Sequence, residues 1–180
     1  MTVKFAFFML DLKRIFLKDF NMNDEFKIDF SEMRYYRMRK ALFTFVYVLT
    51  DEFNCTLPKR SAPKFTGQDA FVVYENGKLT IKAGFAWDGP SGPSIDTKAF
   101  IRASLVHDAL YRLMSKGVIQ ANETNRYFSD LVMKALNLAG GMTRFRAWYT
   151  FLAVHFFGKK HSKRRRKVYR LDGGTANFKG

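Results

Sequence analysis

The spacing of hydrophobic and polar positions changes character halfway along the chain. Residues 1–38 mix aromatics with both charges, and FMLDLKRIFLKDF (8–20) has apolar residues at 9, 10, 12, 15, 16 and 20, a broken helical pattern. ALFTFVYVLTDEF (41–53) is rich in β-branched and aromatic residues and predicts a strand. NCTLPKRSAPKFTGQ (54–68) holds two prolines and a glycine and predicts a loop. DAFVVYENGKLTIKAGF (69–85) predicts a β-hairpin, two β-prone runs joined by Asn76-Gly77.

Beyond residue 95 the period becomes helical. Asp96 and Thr97 are caps for a helix running to Lys116 and ended by Gly117. A second helix is expected over 122–139, capped by Asn122 or Thr124 and stopped by Gly140-Gly141. Thr143 opens a third, RFRAWYTFLAVHFF, ending at Gly158. Strands followed by helices predict an α+β fold: a small antiparallel sheet with a β-hairpin, then three helices, the first two an antiparallel hairpin. One domain over 1–158 is expected, with 159–180 a basic, flexible tail.

Charge adds a partner class. The net charge is +15, and KKHSKRRRKVYR (159–170) has eight basic residues and no acidic one. Lys159, Lys160, Lys163, Arg164, Arg165, Arg166, Lys167 and Arg170 are therefore candidate anion-binding residues. They follow an aromatic-rich helix, which suits an anionic membrane surface. They suit a nucleic-acid backbone equally, and no sequence-reading motif is present. The 20 Phe, 8 Tyr and 2 Trp serve either a core or a membrane interface.

Cys55 is the only cysteine, so an internal disulfide and a cysteine-based zinc site are excluded. The apolar start, FAFFML, is too short for a signal-peptide core. Synthesis and retention in a reducing cytoplasm are expected, unless the chain is released by lysis or packaged in a particle.

The candidate chemistry lies in GFAWDGPSGPSID (84–96) and HDALY (107–111). His107 and Asp108 are adjacent, so on a helix they point about 100° apart and each is expected to need its own partner. Tyr111, one turn on, covers the same side. Asp130 on the next helix is the candidate to orient the His107 imidazole. Asp108 is expected to face the loop, where Asp88 and the backbone around Gly89 and Gly92 make an oxygen-rich set suited to calcium.

Those residues resemble the phospholipase A2 active site, most nearly the parvovirus capsid type. The resemblance implies His107 as base, Asp130 as its partner beside Tyr111, Asp108 as calcium ligand, and Trp87, Gly89 and Gly92 as loop contributors. More of the chain resembles the phage-associated domain of unknown function 1353. Its blocks are matched in order by AGFAWDGPSGP, HDALY, an Asp within YFSDLVMKAL, and AVHFFG, over 83–158. That likeness implies a phage origin, a family-like core at 66–158 and an N-terminal extension at 1–65, and no activity.

Two readings stay open. One is a phage-encoded, calcium-dependent acyl hydrolase acting at membranes. The other is a noncatalytic virion protein whose polar cluster is scaffold and whose basic surface binds DNA or partner subunits. A His-Asp phosphohydrolase needs a further upstream His, and none precedes His107. A zinc peptidase needs about three ligands, and only His155 and His161 remain as histidines. His155 reads as a partly buried helix residue, and Ser91 and Ser94 as turn residues.

Overall fold

The computed structural model describes residues 28–41, 44–58, 62, 64, 66–89 and 97–158. The broken pattern at 8–20 lies outside them. Among the described residues eight strands come first: β1 (Asp29–Phe30), β2 (Tyr35–Ala41), β3 (Thr44–Leu49), β4 (Phe53–Thr56), β5 (Thr66–Gln68), β6 (Val72–Glu75), β7 (Lys78–Ile81) and β8 (Ala86–Trp87). Three helices follow: α1 (Lys98–Ser115), α2 (Glu123–Ala139) and α3 (Arg144–Phe157). The fold is α+β.

The strands form two antiparallel sheets, one ordered β1-β4-β7-β6-β5 and the other β2-β3-β8. Asn76 (φ 45°) and Gly77 (φ 95°) both take positive φ, as a two-residue hairpin turn of type I′ requires. That turn sets Tyr74 opposite Leu79 and Val72 opposite Ile81, and β4 adds Cys55 opposite Leu79 and Phe53 opposite Ile81. All six side chains are buried on one face, as the two-residue period of a strand dictates.

Two sequence expectations change here. The strand expected over 41–53 is broken by the exposed Thr50-Asp51-Glu52, so β3 and β4 enter different sheets. The break is held from outside: Thr50 N–H donates to Arg34 O at 3.0 Å and Asn54 N–H to Ser31 Oγ at 2.9 Å. The loop expected over 54–68 contains the end of β4 and all of β5, where Gly67 pairs with Tyr74. β2 was hidden among mixed aromatic and charged residues. Its described side chains past Tyr35 are exposed, so they carry no burial pattern to read.

The helices begin where capping residues dictate. Thr97 Oγ1 accepts from Phe100 N–H at 3.3 Å, Asn122 Oδ1 from Asn125 N–H at 2.8 Å, and Thr143 Oγ1 from Arg146 N–H at 3.4 Å. The alternative cap Asp96 lies outside the described residues. α1 and α2 run antiparallel, with Ala99 against Gly140 at one end and His107 against Asp130 further along. α3 lays Ala147, Thr150 and Phe151 inward, and α1 meets the β half through Ser104, which accepts from Trp87, and Arg112, which pairs with Asp69. No helix among the described residues is long and apolar enough to cross a membrane.

Candidate functional site

Asp130 is the centre of the site. It sits mid-α2 with no exposed surface, and an unpaired carboxylate there would carry a heavy desolvation cost. Two other helices answer it. Oδ1 accepts from His107 Nε2–H at 3.0 Å and from the Tyr111 hydroxyl at 2.9 Å, both on α1. Oδ2 accepts from His155 Nδ1–H on α3 at 3.1 Å. Burial alone would raise the Asp130 carboxyl; the His107, His155 and Tyr111 donors outweigh it and hold it below the usual carboxylate value. Burial and the neighbouring Asp130 push the Tyr111 hydroxyl well up, so it stays a donor.

An ionised Asp130 fixes the tautomer of His107. Nε2 must carry the proton, so in the neutral ring Nδ1 is the bare nitrogen. Nδ1 lies 3.5 Å from Asp108 Oδ1, whose side chain is 37% exposed. This corrects the expectation that neighbours about 100° apart cannot meet: Nδ1 is close to its own Cβ, and the short Asp side chain turns back to it. Burial works against a charged His107, but hydrogen bonding and attraction from Asp108 and Asp130 prevail and raise it from 6.5 to about 9.

His155 and Arg126 complete the cluster. AVHFFG gave His155 only as a partly buried helix residue, yet it satisfies the second oxygen of Asp130 while stacking on Phe151 at 5.6 Å between ring centroids. Arg126, one turn before Asp130, is buried and donates from Nη2 to the His155 carbonyl at 2.8 Å. Only the three-helix arrangement reveals these roles. The one signal in the sequence was the spacing of Arg126, one helical turn before Asp130. Gly158 caps α3 against the Tyr111 hydroxyl, which leaves no space there for a side chain.

The loop residues divide. Trp87 is buried, donates from Nε1 to Ser104 Oγ at 3.1 Å, and packs against Tyr47 and Tyr35. Its side chain belongs to the core. Gly89 has φ 73° and lies so close to the Tyr47 ring that a Cβ would collide with it. Asp88 is exposed, and Gly92 and the rest of 90–96 lie outside the described residues.

Calcium takes six to eight oxygens. Both Asp130 oxygens are committed to N–H and O–H donors, and Asp108 is the other carboxylate that lies against His107 among the described residues. No group of three candidate ligand side chains occurs among the described residues. Asp130 is thus a partner of His107 rather than a metal ligand; of the expected calcium set, Asp108, Asp88, Trp87 and Gly89 are described and Gly92 is not. Cys55 is no nucleophile, since burial pushes its thiol up to about 12.

The expected anion-binding residues Lys159, Lys160, Lys163, Arg164, Arg165, Arg166, Lys167 and Arg170 lie outside the described residues. No family model, curated protein or solved structure matches the chain, so the resemblances drawn from its motifs stand on the quoted residues alone.

Proposed function

We propose that the chain is an acyl ester hydrolase in which His107 is the proton acceptor. One observation carries the reading: the two ring nitrogens have different fates. Nε2 is locked to a fully buried carboxylate, while Nδ1 lies towards the half-exposed Asp108. The likeness of GFAWDGPSGP and HDALY to phospholipase A2 supports an ester of a phospholipid as substrate.

Nδ1 takes a proton from water as the water oxygen bonds to the ester carbonyl carbon. Asp130 stabilises the imidazolium so formed, and Tyr111 and His155 hold Asp130 in place. The proton then passes from Nδ1 to the leaving alkoxide oxygen as the acyl C–O bond breaks. Because His107 is held protonated up to about 9, the base form is scarce at neutral pH and the rate climbs towards pH 9.

The second reading, a noncatalytic virion scaffold, is favoured by that same charge. An imidazolium between two carboxylates is a fixed ion pair that pins α1 to α2. His107→Gln separates the two, since the amide still donates to Asp130 but accepts no proton at neutral pH. The hydrolase reading expects the variant to fold and to lose roughly 10²–10⁴-fold of its activity on a dispersed short-chain phospholipid. The assay is run from pH 6 to 10, once with calcium and once with a chelator. Wild-type protein that leaves the ester intact across all of these conditions overturns it and leaves the scaffold.

A further inference from the structure

α3 has two apolar faces, and the fold uses one. Ala147, Thr150 and Phe151 point into the core, and His155 reaches Asp130. On the outward side Phe145 is 76% exposed, Tyr149 55% and, at the helix end, Phe157 79%. Phe145 and Trp148 pair with ring centroids 6.2 Å apart, and Leu152 continues the stripe at helical spacing. Large aromatics in water are unfavourable unless a partner covers them.

Charge identifies the partner. No acidic residue occurs between Asp130 and Asp172, and eight of the twelve residues at 159–170 are Lys or Arg, starting one residue after Gly158. Arg144 is exposed at the other end of the same helix. Aromatic rings with cationic flanks and no acidic residue match the boundary between acyl chains and anionic headgroups. Since no described helix can cross a bilayer, the chain would lie on it. We propose that the outward face of α3 docks on an anionic phospholipid membrane surface, with the basic run that follows it in the sequence adding its charge. This inference does not depend on His107 being catalytic.

The test uses the full chain and vesicles of phosphatidylglycerol mixed with phosphatidylcholine, against phosphatidylcholine alone. Trp148 lies on the docking face, so its emission should shift to the blue with anionic vesicles, and lipids brominated near the headgroup should quench it. Substituting Arg164, Arg165 and Arg166 by Gln should weaken vesicle affinity about 100-fold, from roughly fivefold for each charge near the surface. Phe145→Ser with Tyr149→Ser should weaken it at least tenfold with an unchanged melting temperature, because both side chains are exposed. His107→Gln should bind vesicles like wild type, so loss of catalysis and loss of docking are read separately.

Three results would overturn the proposal. One is vesicle binding that ignores the Phe145 and Tyr149 substitutions and is matched by duplex DNA, which makes the tail a simple polyanion binder. Another is a Trp148 emission that anionic vesicles leave unshifted. The third is a Trp148 that becomes exposed only when dimers dissociate or residues 1–27 are removed, which assigns the face to this chain itself.

Discussion

His107 Nε2 lies 3.0 Å from Asp130 Oδ1, and Asp130 has no solvent-exposed surface. This one contact joins two helices through residues 23 positions apart and fixes which imidazole nitrogen is bare. Whatever reaction the site performs, its geometry is set by a carboxylate that water does not reach. The consequences can be measured without knowing the substrate.

Asp130→Ala should cost about 3–5 kcal/mol, the usual loss when one member of a buried ionic cluster is removed. Tyr111→Phe, which deletes one hydroxyl donor, should cost about 1–2 kcal/mol. Urea denaturation followed by circular dichroism measures both. An Asp130→Ala variant as stable as wild type would mean that the three donors do not act on one buried charge.

Stability should depend on pH in a defined window. The folded pKa of His107 is raised from 6.5 to about 9, so its contribution is complete below about 6.5 and is lost as pH rises through 9. Asp130 is lowered from 3.8, so its contribution is present above that value and lost as pH falls below it. Maximum stability is expected between about pH 4 and 6.5, and the His107 share, roughly 3 kcal/mol, disappears by about pH 10. Urea midpoints at pH 5, 7 and 9.5 test this. His107→Gln should flatten the alkaline limb, and an unchanged limb would remove His107 as its cause.

Tyr111 and His155 approach different oxygens of the same carboxylate from different helices. Tyr111→Phe and His155→Phe should therefore be non-additive, with a coupling of about 0.5–3 kcal/mol in a double-mutant cycle. The Phe at 155 keeps the ring against Phe151 and removes only the donor. Strict additivity would show that Asp130 does not link α1 to α3.

Gly140→Ala should destabilise by about 1–3 kcal/mol through overpacking, because its Cβ would fall onto Ala99 where α1 and α2 approach closely. Ala99→Gly in the same chain should recover part of that loss. A double variant no better than Gly140→Ala would place the strain elsewhere.

Local rules were strong enough to write the helices and the hairpin into the sequence. Thr97, Asn122 and Thr143 cap the three helices, and Asn76-Gly77 turns the hairpin, because caps and turns need only residues a few positions apart. The pairing of His107 with Asp130 was also legible, since two amphipathic helices joined by a short connection meet antiparallel. What lay outside local rules was decided by tertiary contacts. The break at Thr50–Glu52 and the pairing of β5 depend on partners up to 23 residues away, such as Ser31 for Asn54. Asp108 turned back on His107, to 3.5 Å from Nδ1, through side-chain rotation, which helical spacing does not describe. His155 became a partner of Asp130 only when α3 packed across α2, for a buried carboxylate takes its donors from whatever the fold brings within reach.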